Sequence, residues 1–168
     1  MATLTERGAS TMETMSNHQL VRVEKTLTTA LVAWSVASIS LGMPLALIGR
    51  KMGSTSVSEF GRQNALWGAV DAAIAGVGLM TRRKRGVLSD VQAEREIRKL
   101  RNLLVINALA DVGYIAGGIA IAARSRRGMS SLRMGAGDGA AIGIQGTFLL
   151  VLDVSQAMRL RKIPTKAH

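Results

Sequence analysis

A run of 22 residues without a charged side chain, 27–48, constrains the fold of this chain more than any other feature. A helix rises about 1.5 Å per residue, so this run is long enough to span the roughly 30 Å hydrocarbon core of a bilayer. We therefore predict a first membrane-spanning helix over Leu27–Ile48, kinked at Pro44. A cleaved signal peptide is the alternative. The 26 residues that precede the run and the lack of a small-x-small cleavage site disfavour it.

Three further apolar segments follow at about 60–80, 102–123 and 134–158, and Arg or Lys clusters flank each of them. Each segment contains at least one carboxylate, which makes insertion of the isolated helix less favourable. In the second segment, strong apolar residues contribute roughly 0.3–0.6 kcal/mol each, whereas a central Asp costs about 2.5–3.5 kcal/mol. The summed gain from the strong apolar residues of this segment nearly equals the cost of the Asp. The helix therefore needs neighbours that keep the acid away from lipid. We predict an all-α fold, a bundle of four transmembrane helices.

The chain divides into three predicted parts. Residues 1–26, rich in Ser, Thr and Met, are expected to form a mobile cytoplasmic tail. Residues 27–158 form the four-helix membrane domain, and residues 159–168 form a basic cytoplasmic tail. Ser89 and Gln92 have the spacing of a capping box, so the third helix is predicted to extend into the cytoplasm from about residue 89.

Basic residues are distributed unevenly between the two sides of the predicted bundle. Fifteen lie on the side of both chain termini and of the segment between helices 2 and 3: Arg7, Arg22, Lys25, Arg82, Arg83, Lys84, Arg85, Arg95, Arg98, Lys99, Arg101, Arg159, Arg161, Lys162 and Lys166. Seven lie on the other side: Arg50, Lys51, Arg62, Arg124, Arg126, Arg127 and Arg133. The positive-inside rule therefore predicts a multi-pass protein of the cell membrane with both termini in the cytoplasm.

The net charge of +11 raises nucleic-acid binding as an explanation, but the arrangement of the charges argues against it. The basic residues form short clusters at the ends of apolar segments, and neither an aromatic stacking platform nor a recognition-helix pattern accompanies them. Topology signals in the lipid bilayer and contact with anionic lipid head groups explain the clusters better. The absence of cysteine excludes a thiolate metal site and a Cys nucleophile.

Small residues recur at every fourth position of three predicted helices. Such ridges let helix backbones approach closely in lipid, where packing replaces the hydrophobic drive. We interpret them as close packing among helices 2, 3 and 4 rather than as a dedicated dimer face, and we expect the uncharged helix 1 to be the most lipid-exposed. The residues are Gly68, Ala72 and Gly76 in helix 2, Gly113 and Gly117 in helix 3, and Gly135, Gly139 and Gly143 in helix 4.

Polar side chains form one stripe on each of helices 2, 3 and 4. Three of them are carboxylates at a similar predicted depth, roughly 8–14 Å inside the cytoplasmic boundary at about 1.5 Å per residue. Acids within membrane spans are rare, usually face the bundle interior and often mark a functional site. The candidate cluster comprises Asp71, Asp111 and Asp153 together with Asn64, Asn107, Tyr114 and Gln145, and Gln156 lies on a neighbouring face.

Three interpretations of this cluster stay open. The polar side chains could hydrogen-bond across the bundle and couple its helices. The acids could instead meet a Lys or Arg of a membrane-protein partner, or the chain could form a homo-oligomer. The alternative to both is a small cation- or proton-coupled transporter or channel, in which the carboxylates line a cavity open to the cytoplasm.

The sequence contains no recognisable enzymatic constellation. Both histidines, His18 and His168, lie in the tails, and neither HExxH nor GxSxG occurs. The glycine-rich run 135–146 lacks the GKS ending of a phosphate-binding loop, and no predicted strand precedes it. We therefore expect a non-enzymatic protein without a catalytic residue, cofactor or metal, whose polar cluster serves structural coupling or partner binding.

Three short motifs carry a resemblance to a known family. They are GRQNxxWGxxD from Gly61 to Asp71, DxGYxxG from Asp111 to Gly117, and QGxxLxxxD from Gln145 to Asp153. Together they resemble the motifs of a bacterial family of small four-helix integral membrane proteins of unknown function. The resemblance covers about residues 50–153 and implies a fold and a set of notable residues, but no activity.

Two residues of the first motif lie near the predicted membrane interface. Arg62 falls at the outer edge of helix 2, where a long basic side chain reaches the polar interface along the helix. Trp67 falls one to two turns deeper. We expect Arg62 to extend to the interface and Trp67 to be a packing or interface residue rather than a ligand contact.

Overall fold

The structure is a computed structural model that describes residues 4–86, 88–129 and 134–163, with the backbone alone for 4–16 and 90. These residues form four helices: α1 (Leu4–Lys51), α2 (Thr55–Lys84), α3 (Asp90–Arg126) and α4 (Ala136–Arg161). No strand occurs within the described ranges. All four helices are long and apolar enough to cross a membrane. The predicted all-α class and four-helix architecture are confirmed.

The first helix is much longer than its predicted span, because it begins at Leu4. Within residues 4–26, which the sequence analysis assigned to a mobile tail, the helix runs without a break. Leu20 and Val23 are buried, and with Leu27 they follow the i, i+3, i+7 spacing of an apolar helix face. Burial of this face against α3 and α4 stabilises α1 around Leu20 and Val23. The outermost parts of the predicted tails, 1–3 and 164–168, lie outside the described residues.

The helices form two antiparallel hairpins that meet through α2 and α4. α1 lies along α2, α3 lies along α4, and α4 contacts each of the other three helices. In the described ranges no Cα atom of α2 lies within 8 Å of one in α3, so these two helices meet through side chains. We call the end where α1 and α3 finish and α2 and α4 begin the hairpin end. The opposite end, where α2 and α4 finish and α3 begins, is the terminal end.

Glycines let the two helices of each hairpin approach closely. A Cβ atom built on Gly42 of α1 would lie 2.6 Å from the carbonyl oxygen of Gly61 on α2. Likewise, a Cβ atom built on Gly118 of α3 would lie 2.6 Å from the carbonyl oxygen of Gly139 on α4. Backbone atoms of the neighbouring helix occupy the space of a side chain at these positions, which is the packing that small residues permit in membranes.

Only some glycines of the predicted ridges take part in this packing. Gly68 faces α1 rather than α3 or α4, since its built Cβ would lie 3.0 Å from the Ser35 carbonyl oxygen. By contrast, a Cβ atom at Gly76, Gly113 or Gly117 would have no atom within 4 Å. A four-residue spacing identifies a face of a helix but not the neighbour that covers it. α1 thus takes part in the close packing, although its span is the least buried of the four.

An apolar cluster closes the terminal end of the bundle. It joins the extended part of α1 to the start of α3 and the end of α4. The cluster consists of Leu20, Val23, Ile97, Leu104, Leu160 and Ile163.

Polar contacts also stabilise the terminal end. Arg85, which follows α2, lies between two acids, with its guanidinium 2.5 Å from Glu24 and 3.7 Å from Glu96. α3 begins where Gln92 accepts a hydrogen bond from the backbone N–H of Ser89 at 3.0 Å.

Candidate functional site

Three carboxylates are buried inside the bundle, one from each of α2, α3 and α4. Asp71 is 0% exposed, Asp111 is 3% exposed and Asp153 is 7% exposed. Asp111 lies close enough to both of the others to interact with them electrostatically. The three acids form one buried group between the helices, away from the outer faces.

Gln145 connects Asp71 to the first helix. Its side-chain amide donates to Oδ2 of Asp71 at 2.5 Å, and its carbonyl oxygen accepts a hydrogen bond from Nε1 of Trp34 at 2.6 Å. The indole of Trp34 stacks on Phe148, with ring centroids 4.1 Å apart and an interplanar angle of 6°. Gln145 is itself almost fully buried. One hydrogen-bonded chain therefore links α1, α4 and α2 within the apolar spans.

Sequence reasoning missed Trp34 as a member of this network. It treated α1 as lipid-facing because that span has no charge, and an indole N–H signals a polar partner only weakly. Ser35 and Ser38 beside it offered a further signal, since both are buried and Ser35 donates to the carbonyl oxygen of Gly68 at 2.7 Å. Three polar side chains on one face of an uncharged span indicate a helix neighbour rather than lipid.

Several buried polar atoms of α2 and α3 lack a hydrogen-bond partner among the described residues. They include Oδ1 of Asn64, Oδ1 of Asp71, Oδ2 of Asp111 and Nε1 of Trp67. Trp67 meets Tyr114 edge to face, with ring centroids 5.4 Å apart, and this contact bridges α2 and α3. Unpaired buried oxygens are costly in an apolar environment, so the group has capacity for further donors.

Two of the predicted cluster residues lie at its margin. Asn107 is exposed on α3. Tyr114 is also exposed, and it contacts Trp67 of α2. Gln156 is buried on α4 and its amide donates to Ser155 at 3.2 Å. Of the seven residues of the predicted cluster, five are buried: Asn64, Asp71, Asp111, Gln145 and Asp153.

A second polar group lies at the hairpin end. Arg62 of α2 donates to Oδ1 of Asp138 on α4 at 3.0 Å, and the Asp138 side chain is 0% exposed. Asp138 also accepts from the backbone N–H of Gly135 at 3.1 Å, which caps α4. Glu59 accepts from the N–H of Gly137 at 3.3 Å. The Arg62 side chain is half-exposed, so it both reaches outward and binds an acid that the sequence analysis did not single out.

The sequence did contain a signal for this second group. Glu59 and Arg62 are three residues apart on α2, and Asp138 falls at the third position of α4, where a carboxylate can cap the helix. What spacing could not give is the crossing of α2 over the start of α4, which brings Arg62 and Asp138 together.

No group of three or more His, Cys, Asp or Glu side chains in the described part of the chain is arranged to hold a metal ion. An open groove of about 690 Å³ lies on the outer face of α4, beside Trp34 and α3. Its lining is apolar and includes none of the three carboxylates. The acids are therefore enclosed by helices rather than exposed to this groove.

Residues 30–154 match a family whose description is "Family of unknown function (DUF6992)". The chain is a member of this DUF6992 family. The match covers all four apolar spans in large part, including the buried carboxylates and the Arg62–Asp138 pair, and leaves out the extended start of α1. The DUF6992 chain matches no curated protein and no solved structure. The family and the four helices together indicate a small membrane protein.

Proposed function

We propose that this chain is a non-enzymatic membrane protein whose buried polar network couples its two helix hairpins and fixes how they fit together. The hydrogen-bonded chain from Trp34 through Gln145 to Asp71 carries this proposal. Each hairpin already holds itself together through close glycine contacts, but α2 and α4 carry the main contact between hairpins. Gln145 bonds to both helices of the first hairpin and thereby fixes the position of the second.

Hydrogen bonds between buried side chains are well suited to this coupling role within a bilayer. Apolar side chains contact lipid tails about as favourably as they contact one another, so apolar packing selects weakly among alternative helix positions. A hydrogen bond between two buried groups is satisfied in one register only, because any slip leaves a donor or an acceptor unpaired. The network supports one arrangement of the hairpins in this way.

A partner subunit would then engage the outer faces of the helices rather than the carboxylates. Asp71, Asp111 and Asp153 are buried inside the bundle, so a Lys or Arg from another chain does not reach them without opening it. Apolar side chains such as Val36, Leu109 and Val151 are exposed within the spans and are available to lipid, to a membrane protein or to a second copy. We place the terminal end in the cytoplasm of a cell-membrane protein, in accordance with the basic residues there.

Replacing Gln145 tests the coupling role. Gln145→Leu removes both hydrogen bonds and leaves Asp71 and Trp34 without them, a change that costs about 1–3 kcal/mol for buried polar groups. We expect thermal unfolding of the full chain in mild detergent to occur several degrees lower. Thr147→Val is the matched control, because that hydroxyl donates within its own helix to the carbonyl oxygen of Gly143. Equal stability of the two variants would contradict the proposal.

A cation or proton pathway is the second candidate function, and the unpaired oxygens favour it. Asn64, Asp71, Asp111 and Gln156 each present a buried oxygen without a partner among the residues described, on three adjoining helices. Such atoms can receive a proton or coordinate a small cation. The test is flux under an imposed potential into proteoliposomes that contain a pH-sensitive or a potassium-sensitive dye. Flux that Asp71→Asn abolishes and Thr147→Val leaves intact supports a pathway, and the absence of flux of either ion in the unmodified protein rejects it.

A further inference from the structure

The two walls of the groove on the outer face of α4 differ in their side chains. One wall is the stacked pair Trp34 and Phe148, and the other is the α3 face that carries Ile115 and Ile119. The floor is built from small residues of α4, among them Gly143, whose built Cβ would have no atom within 4 Å. The floor is therefore low, and the walls rise on both sides of it.

Every hydrogen-bond donor of the side chains that line the groove is already engaged. The indole N–H of Trp34 donates to Gln145, and the hydroxyl of Thr147 donates to the carbonyl oxygen of Gly143 in its own helix. The other lining residues have no polar side chain. An occupant of the groove thus meets hydrocarbon surface, which suits an apolar chain and disfavours a polar ligand.

The length of the groove favours one acyl chain over a whole helix. From Gly139 to Val151 the groove follows twelve residues of α4, which at about 1.5 Å per residue gives roughly 18 Å. This length is close to the hydrocarbon depth of a single leaflet, since the whole core is roughly 30 Å thick. A spanning helix of a second copy would continue well beyond the groove.

Positive charge marks one end of the groove. Ile115, Ile119, Ala122 and Arg126 follow i, i+4, i+7 and i+11 spacing, so Arg126 lies on the same face of α3 one turn beyond the groove. Arg126 is exposed at the hairpin end, in the last turn of α3. A guanidinium at the membrane boundary is a strong partner for a phosphate, because it can donate two parallel hydrogen bonds.

We propose that this groove binds an anionic phospholipid of the leaflet at the hairpin end, with one acyl chain along α4 and the phosphate on Arg126. The site lies on the opposite side of α4 from the buried carboxylates. Lipid binding there does not require the coupling role proposed above, and each can fail without the other.

Two substitutions remove the two halves of the proposed site. Gly143→Leu places a side chain in the groove without a clash at its Cβ, and Arg126→Gln removes the charge at its end. Each has a matched control in the chain. Gly113→Leu also introduces a leucine where a Cβ has open space, but on the outward face of α3, and Arg83→Gln removes an exposed charge at the terminal end.

The experiment measures the thermal midpoint of the full chain in detergent as phosphatidylglycerol or phosphatidylcholine is added. We expect phosphatidylglycerol to raise the midpoint of the unmodified protein more than phosphatidylcholine does. Gly143→Leu and Arg126→Gln should each lower that rise by at least half, whereas Gly113→Leu and Arg83→Gln should retain it. The proposal is overturned if all four variants respond to phosphatidylglycerol like the unmodified protein, or if the two lipids act equally.

The oligomeric state provides a second readout, because a second copy is the competing occupant of the groove. Chemical cross-linking of the same samples reports whether the chain associates in detergent. A dimer that Gly143→Leu converts to monomer, with an unchanged response to phosphatidylglycerol, would assign the groove to a second copy and overturn the lipid site. Unchanged cross-linking together with a weakened lipid response supports the lipid.

Discussion

The side-chain amide of Gln145 donates to Oδ2 of Asp71 at 2.5 Å, across the interface between α4 and α2. The other end of Gln145 accepts the indole N–H of Trp34 from α1. The Gln145 side chain thus pairs with a donor on α1 and an acceptor on α2, the two helices of the first hairpin. The stability of the bundle should therefore respond to each member of this chain of bonds.

Trp34→Phe isolates the bond from α1. Phenylalanine keeps an aromatic ring beside Phe148 but lacks the N–H, so the buried oxygen of Gln145 loses its donor. We expect a loss of about 1–3 kcal/mol in the free energy of unfolding, measured by reversible denaturation in mixed micelles. In a double-mutant cycle, Trp34→Phe should cost much less in the Gln145→Leu background. Equal costs in both backgrounds would show that the bond contributes nothing.

Adjacent glycines on α3 provide a test of backbone packing. Gly118→Ala places a Cβ within 2.6 Å of the Gly139 carbonyl oxygen, whereas Gly117→Ala places one in open space. We expect Gly118→Ala to destabilise the protein by about 1–3 kcal/mol through overpacking. Gly117→Ala should be neutral or more stable by about 0.4–1 kcal/mol, because alanine restricts the unfolded chain. Thermal unfolding of the two single variants distinguishes these results, and similar midpoints would contradict the packing described.

The sequence was sufficient to predict the four helices, because each apolar segment has the length and hydropathy of a membrane span. Depth along each helix depends only on the rise per residue, so one level for Asp71, Asp111 and Asp153 stays a prediction. The rotation of each helix about its axis and the choice of its neighbouring helices do not follow from the rise per residue. They decide that Gly68 faces α1 and that Gly113 faces outward, and no four-residue spacing contains that information.

Contacts between helices that are distant in sequence were the least predictable. Trp34 and Gln145 are 111 residues apart, and Arg62 and Asp138 are 76 residues apart. Each pair depends on the crossing of helices that the chain does not connect directly. The apolar face of the α1 extension was missed for another reason, because Leu20 and Val23 lie among many polar residues and their spacing is sparse.

The Arg62–Asp138 pair should stabilise the start of α4. Asp138 is fully buried and also caps Gly135, so Arg62→Gln leaves a buried carboxylate with fewer donors. We expect a loss of about 1–2 kcal/mol, limited because Arg62 is half-exposed and its charge is screened. The double variant Arg62→Gln/Asp138→Asn should be closer to the unmodified protein than the sum of the single variants. Strict additivity in denaturation experiments would argue against a direct pair.

The extended part of α1 can be tested with two neighbouring residues. Leu20 is 1% exposed within the cluster at the terminal end, whereas Val21 is 49% exposed. Leu20→Ala should destabilise the protein by about 2–5 kcal/mol, as truncation of a buried leucine does. Val21→Ala should have little effect. Proteolysis of the extension in detergent gives an independent readout, and rapid cleavage of both variants and of the unmodified protein would show that residues 17–26 do not pack.

The proposed orientation predicts which residues a reagent reaches from outside the cell. The chain has no cysteine, so single-cysteine variants label at one position only. Lys51→Cys lies at the hairpin end and Lys84→Cys lies at the terminal end, and both positions are exposed. If the basic terminal end faces the cytoplasm, a membrane-impermeant maleimide added to intact cells labels Lys51→Cys, and labels Lys84→Cys only after the membrane is broken. The reverse pattern would invert the orientation and place the Arg126 end of the lipid groove in the cytoplasmic leaflet.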